Sequence, residues 1–398
     1  MKPAAIVFVS HTADRDGAPI ELLRFLGWLK TRTPLRILIL LQQGGELESD
    51  FRKAGSVRVW KRPLKKTNRL GRRLRESLRW EGIGNHLRLA RIRCWLFRFR
   101  VVLVYANTAF CGESLTILKN INCPRICRLH EMAFALKNYC YPLGFCSFEQ
   151  TLKYCESFVV VSEAVGDNLV KNHKVAPEQV RKIYGSVEPV YRKDYFDRDQ
   201  REELKAKLGI PRDVPVIGGA GRIYWGKGTD LFVQLAAIIH KRHDFRNVHF
   251  LWVGGDLQHE RFQRVEFDMN RARLNNVVHF TGHQADPYPY YSCMDMLAMI
   301  SREDSFPLVN PEVGLLGIPM VCFQNSGGSE EWASGGCGRV VPYLDLEAFA
   351  RELMEILADP AARAKMGAVC RRQAENLLVE RNAPRLYRIL QRLMNGEY

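Results

Sequence analysis

Short apolar runs separated by amphipathic stretches recur along the whole chain. Ile6-Val7-Phe8-Val9, Leu35 to Leu41, Val101 to Tyr105, Arg125 to Leu129 and Phe158 to Val161 read as buried strands bounded by turn residues. Between the first two, Ile20 to Leu29 has the period of an amphipathic helix. The pattern then starts afresh. Val214 to Gly218, Val248 to Val253, Val277 to Thr281, Met296 to Ile300 and Met320 to Phe323 predict a second set of strands. Helices are expected over Thr229 to Lys241, Glu260 to Arg273 and about Asn310 to Leu316, then over Leu346 to Leu357, Ala361 to Glu375 and Asn382 to Leu393. Strands alternating with helices predict an α/β protein with two mostly parallel, doubly wound sheets. The charged stretch Glu188 to Asp213, with a helical piece around Glu202 to Lys207, reads as the linker between them.

A length of 398 residues agrees with two cores rather than one. The expected division is 1–190, 191–378 and a last helix in 379–398. The apolar fraction of 46% is ordinary for a globular protein, and no apolar stretch approaches the ~20 residues of a membrane span. The first apolar run is too short for a secretory signal core, so it reads as the first strand and the chain as cytoplasmic. Eleven cysteines at irregular spacing, with no paired CxxC motifs, read as free, mostly buried thiols and not as a zinc site.

Charge changes the picture. The net charge is +16, and Arg52 to Arg100 holds 17 Lys and Arg against two acidic residues, Glu76 and Glu81. The same stretch carries Trp60, Leu64, Leu70, Leu74, Leu78 and Trp80, and Arg72, Arg73, Arg75 and Arg79 surround the leucines. A basic amphipathic pattern of this kind suits an anionic membrane surface. Nucleic-acid binding and a merely solvated face are the two alternatives, and the lipid surface is preferred to either.

Two stretches carry candidate chemistry. Gly218-Gly219-Ala220-Gly221-Arg222-Ile223-Tyr224-Trp225-Gly226-Lys227-Gly228-Thr229 runs from a strand into a helix. Glycines admit a ligand close to the backbone, the helix start favours anions, and Arg222 and Lys227 add positive charge. A diphosphate is the natural occupant, although the spacing is neither a Walker A loop nor a convincing dinucleotide fingerprint. Downstream, Glu303, Asp304, Ser305, Phe306 and Leu308 follow a strand, and Glu312 opens the next helix. Carboxylates there can accept paired sugar hydroxyls, and the Ser305–Leu308 loop can present N–H groups, less the one that Pro307 lacks. The turn Asp16-Gly17-Ala18-Pro19 and the strand-end pair His130-Glu131 are weaker signals.

Asp304 and Glu312, eight residues apart, resemble the E-x7-E signature of the family 4 glycosyltransferases, with Asp304 in place of the first Glu. Gly221-Arg222, Lys227-Gly228-Thr229, Val253-Gly254-Gly255, Phe280-Thr281-Gly282 and Ser326-Gly327-Gly328 extend the resemblance, which is strongest from Val216 to Val341. It implies a GT-B fold of two facing Rossmann-like domains and a retaining, metal-independent transfer from a nucleoside diphosphate sugar. Arg222 and Lys227 would stabilise the leaving diphosphate, Asp304 or Glu303 with the 305–308 loop would hold the sugar, and Glu312 the ribose. Gly221 would line the phosphates, Gly17 would approach them from the first domain, and His130 would line the sugar and acceptor side. The basic segment has no counterpart in the resemblance. It suggests a lipid-linked or cell-surface glycan acceptor and a peripheral place on the inner membrane face. The rival reading is a GT-B-like protein that binds a membrane or nucleic acid without catalysis.

Overall fold

A computed structural model of the chain describes residues 2–61, 80–133, 135–136, 146–189, 197–242 and 247–397. Leu64, Leu70, Leu74, Leu78 and the arginines at 72, 73, 75 and 79 lie outside them. The chain folds as two compact units. One comprises Met1–Val161, Val165–Ser186 and Val379–Tyr398; the other comprises Ser162–Ala164 and Val187–Leu378.

The first unit is built on seven parallel strands, β1 (Ala4–Ser10), β2 (Arg36–Gln43), β3 (Ser56–Lys61), β4 (Arg100–Ala106), β5 (Arg125–Leu129), β6 (Ser157–Val160) and β7 (Val180–Lys182), in the order β3-β2-β1-β4-β5-β6-β7. The second has six, β8 (Val216–Ala220), β9 (His249–Val253), β10 (Val278–Phe280), β11 (Met296–Met299), β12 (Met320–Phe323) and β13 (Gly338–Val341), in the order β10-β9-β8-β11-β12-β13. In both, the strand order reverses once, between β1 and β4 and between β8 and β11. Loops at the carboxyl ends on either side of such a reversal diverge and leave a crevice.

Strands in the middle of each sheet are apolar on both faces because helices cover both. Ala5 to Val9 and Leu38 to Leu41 are at most 1% exposed. The helix Gly17–Arg32 buries Leu22, Phe25, Leu26 and Leu29 on the first sheet. The last helix, Val379–Met394, buries Val379, Ala383, Leu386, Leu390 and Leu393 in the same core. Three burying leucines at roughly 2 kcal/mol each outweigh the ~3 kcal/mol that Pro384 costs inside the helix.

The part of the basic stretch from Arg52 to Arg100 that carries the amphipathic leucines and arginines lies outside the described residues, and the described parts of the stretch include a strand and a helix. These are the edge strand β3, with Val57 and Trp60 buried, and the helix Trp80–Phe97, with Ile92, Trp95 and Leu96 buried. The residues before β8, read as the linker between the domains, fall within the second unit. In the helix Arg198–Lys207, Lys205 is 1% exposed and donates to Glu202 Oε1 at 3.2 Å and to the Val214 carbonyl at 3.1 Å. A lysine is buried only with its charge so matched, and this fixes the segment to the second unit.

Candidate active site

In the second unit the two loops flanking the reversal, after β8 and after β11, are fastened to each other. Gly221 has φ +130°, which a side chain disfavours. Its N–H donates to the Val253 carbonyl at 2.9 Å, and its own carbonyl accepts from Trp252 Nε1 at 3.0 Å, so the loop is moored to a core indole. A Cβ at Gly221 would come within 3.2 Å of Lys227 Cε, so the lysine stem runs close beside the glycine and a side chain there would crowd it. Gly228 has φ +71°, opens the helix Thr229–His240, and lies where a Cβ would be 2.2 Å from the Ile300 carbonyl oxygen at the end of β11.

Arg302 closes the fastening. Its N–H donates to the Gly226 carbonyl at 2.8 Å. Its guanidinium donates to the Trp225 carbonyl at 2.7 Å and to both oxygens of Asp230 at 2.8 Å. It also lies 4.9 Å from the centre of the Trp225 ring. A bidentate fork of this kind fixes direction as well as distance. Burial pushes the Asp230 carboxyl up, but the Arg302 hydrogen bonds and charge outweigh it and hold the group below its ordinary value.

The consequence is that Lys227 Nζ donates to Asp304 Oδ2, with the two side chains 16% and 13% exposed. The Asp304 backbone is bracketed as well. Its N–H donates to the Ser326 carbonyl at 2.8 Å, and the Gly328 N–H reaches the carbonyls of Asp304 and Ser305 at 3.1 Å. Glu312 sits in the first turn of the helix Val309–Leu315, half-buried. Beside it, buried Asn310 donates to Ser329 Oγ at 3.1 Å. Glu303, Ser305 and Leu308 are half-buried, and Phe306 turns inward, edge-on to Trp332 at 6.2 Å. Any contact Phe306 offers a ligand is therefore through its backbone. Arg222 is exposed, with its guanidinium 5.6 Å from the Tyr224 ring centre. The fold thus brings Gly221, Lys227 and Asp304 to one place and sets Glu312 eight residues on. Arg302 and Asp230, which do the fastening, went unread in the sequence. The only signal was an arginine next to the acidic pair.

In the first unit, Gly17 is exposed and begins its helix, and Asn107 Nδ2 donates to the neighbouring Ala18 carbonyl at 2.9 Å. His130 Nδ1 lies 3.5 Å from Glu21 Oε2. Burial, then the charges of Arg128 and His11, push the His130 pKa well down, so the ring is neutral at pH 7 and acts as a hydrogen-bonding group. Glu131 Oε2 accepts from the N–H groups of Ala109 and His130, both at 3.1 Å. Burial nevertheless raises the carboxyl to about 7 from its ordinary 4.5. Between those values the folded protein holds a proton that the unfolded chain has released, so stability falls as pH rises through the window. Glu131→Gln should remove that slope, worth at most about 3 kcal/mol, with no effect below pH 4. Urea unfolding at pH 4, 5.5 and 8 checks this, and parallel curves for the two proteins would contradict it.

Among the described residues no group of three or more His, Cys, Asp or Glu is placed to hold a metal ion, and no helix is long and apolar enough to cross a membrane. Nine described cysteines are free.

Comparison with known proteins agrees with this geometry. Residues 214–359, which carry all of the second-unit site, match the family described as Glycosyl transferases group 1. The chain is 27% identical over 252 residues to a D-inositol 3-phosphate glycosyltransferase of Saccharomonospora viridis, covering 62% of this chain and 58% of that one. It is 27% identical over 163 residues to the lipopolysaccharide core biosynthesis glycosyltransferase LpsE of Rhizobium meliloti, covering 41% and 45%. The chain thus spans about half the length of the curated relatives it matches. Among solved structures, Anabaena Alr3699/HepE in complex with UDP and glucose superposes with a TM-score of 0.77 at 18% identity, over 97% of this chain and 99% of that one. WaaG, a glycosyltransferase involved in lipopolysaccharide biosynthesis, gives 0.67 at 16%, over 95% and 98%. The architecture is therefore the GT-B fold. Within it, residues 214–359 match the Glycosyl transferases group 1 model.

Proposed function

We propose that the protein is a metal-independent, retaining glycosyltransferase that moves a sugar from a nucleoside diphosphate sugar to a glycan or lipid-linked acceptor. The observation that carries this reading is the meeting of Lys227 and Asp304 at the sheet reversal, where two rigidly fastened loops set a cation beside a hydroxyl-binding carboxylate. Lys227 and Arg222 stabilise the diphosphate as it leaves, and preorganised charge of this kind costs no rearrangement at the moment of reaction. Asp304, with Glu303 and the N–H groups of the 305–308 loop, holds the sugar. Glu312 takes the ribose hydroxyls. Gly17, which follows β1 in the first unit, is assigned to the donor phosphates, and His130, which follows β5, to the sugar and acceptor. Relatives named for lipopolysaccharide core and capsular polysaccharide biosynthesis support a cell-surface glycan acceptor.

The test is thermal stabilisation by UDP-, GDP- and ADP-sugars, followed by product analysis with the one that binds. A ligand at 100 times its dissociation constant should add about 2.7 kcal/mol. No stabilisation by any of the three, together with no transfer or hydrolysis, would sink the reading.

The place of action in this reading is an anionic membrane surface. The helix Trp80–Phe97 turns Leu87, Ala90, Cys94 and Phe97 outward in one stripe, with Leu87 60% and Phe97 75% exposed, and exposed Arg91 and Arg98 run beside it. Apolar side chains flanked by arginines suit the headgroup boundary. Binding to anionic vesicles should weaken with salt and with Arg91→Ser/Arg98→Ser. Equal binding to neutral vesicles, or binding to RNA instead, would remove this part of the proposal.

A further inference from the structure

We propose that Asp304 also expels the nucleoside diphosphate product, by recapturing Lys227 once the transferred sugar has gone. This rests on the donor site proposed above and assigns its acidic residue a second task. In the structure Asp304 is the anion paired with Lys227. The pairing is built in. Gly221 makes room for the lysine stem, the Arg302–Asp230 fork fixes the two loops against each other, and the backbone on both sides of Asp304 is hydrogen-bonded. Only side-chain torsions are left to change when a ligand arrives.

A diphosphate and the Asp304 carboxylate therefore compete for one ammonium group. An intramolecular competitor held this close acts at a high effective concentration. When both sit near Lys227, the carboxylate also repels the phosphate in a half-buried setting, where screening by water is reduced. A nucleotide sugar avoids the conflict, because its hydroxyls give Asp304 hydrogen-bond donors that draw the carboxylate away from the lysine. The bare nucleoside diphosphate offers it none. Asp304 thus discriminates against product and in favour of donor, and the loss of the sugar is itself the signal for release. Lys227 has three N–H donors and no acceptor, so its ammonium group can serve either anion through hydrogen bonds that it donates.

The experiment is calorimetric titration of wild type, Asp304→Asn, Lys227→Met and the double variant. The probes are UDP, GDP and ADP, each with its sugar conjugate UDP-glucose, GDP-mannose or ADP-glucose. Asparagine keeps the size of Asp304 and can still meet sugar hydroxyls. In Asp304→Asn the nucleoside diphosphate that wild type binds should bind about tenfold more tightly, the scale of one close charge pair. Its sugar conjugate should gain less than threefold or lose affinity. In the Lys227→Met background the gain for the diphosphate should vanish, which separates competition for Lys227 from a general effect of removing a negative charge. Stronger product inhibition of turnover in Asp304→Asn would agree. Unchanged or weaker diphosphate binding in Asp304→Asn overturns the inference, as does an equal gain in both backgrounds or an equal gain for both ligands. If wild type binds none of the three diphosphates, the donor site itself is overturned and this inference with it.

Discussion

Lys227→Ala should lower turnover by 100- to 1000-fold while leaving the protein folded. The size follows from what a single preorganised charge contributes when negative charge develops beside it, about 2.7–4 kcal/mol for one donor. Lys227 meets the condition of preorganisation. Its stem lies against Gly221, the residue after it is a left-handed Gly228, and the loop carrying it is held at Trp225 and Gly226 by Arg302. Arg222, five residues earlier and exposed, is the second cation assigned to the diphosphate and adds to the contact that Lys227 makes without replacing it. The cost in stability should be small by comparison. The Lys227 and Asp304 side chains are 16% and 13% exposed, so the carboxylate left behind keeps some contact with water and the cost stays below that of breaking a fully buried pair. Steady-state rates and thermal midpoints of wild type and variant decide the matter together. A variant with wild-type rates would take Lys227 out of the chemistry, and one that fails to fold would make it a structural residue.

The reach of the sequence was set by separation along the chain. Central strands were legible because being covered on both faces makes them continuous apolar runs, as in Ile37 to Leu41. Of the edge strands, β10 was legible as Val277 to Thr281, but β3, β7 and β13 were not. In β3 the apolar Val57, Val59 and Trp60 alternate with Arg58 and Lys61, which merged with the basic run around them. In β13, Gly338-Arg339-Val340-Val341 is too short to stand out. The glycine loop and the acidic loop were each visible as local patterns, but nothing local says that Lys227 touches Asp304 across 77 residues, or Arg302 grips Asp230 across 72. The likeness to solved GT-B structures fixes the fold at large, while those two contacts decide how the loops of this particular chain are set.

The same limit hid a buried charge in the first unit, and its removal should have the largest effect on stability. Glu21→Leu should destabilise the protein by about 3–5 kcal/mol, the usual loss when one partner of a buried ion pair is removed. Arg128 lies within β5, 2% exposed, and its Nη2 donates to Glu21 Oε1 from 107 residues away. The same nitrogen donates to the carbonyls of Ile183 and Tyr184 at 3.1 and 2.9 Å. Asn382 of the last helix donates to that Tyr184 carbonyl as well, at 2.9 Å, so the pair anchors the exit of the chain from the unit. Among the described residues neither Nε nor Nη1 of Arg128 has an acceptor, so Glu21 is central to neutralising it. An arginine cannot shed its proton, and without Glu21 its charge stays buried. A glutamate can take one up. Burial already raises the Glu21 pKa against the opposing charges of Arg128 and Arg24. In Arg128→Met it should rise further, so the folded state then holds a proton that the unfolded chain releases above its ordinary pKa. The deficit of Arg128→Met relative to wild type should therefore grow as pH rises from 4.5 toward 8. Glu21→Leu has no carboxyl to titrate there, and its deficit should not grow. Urea unfolding midpoints of the three proteins at pH 5 and pH 8 separate the two behaviours. Equal pH dependence in both variants would mean that Glu21 and Arg128 do not answer to each other's charge.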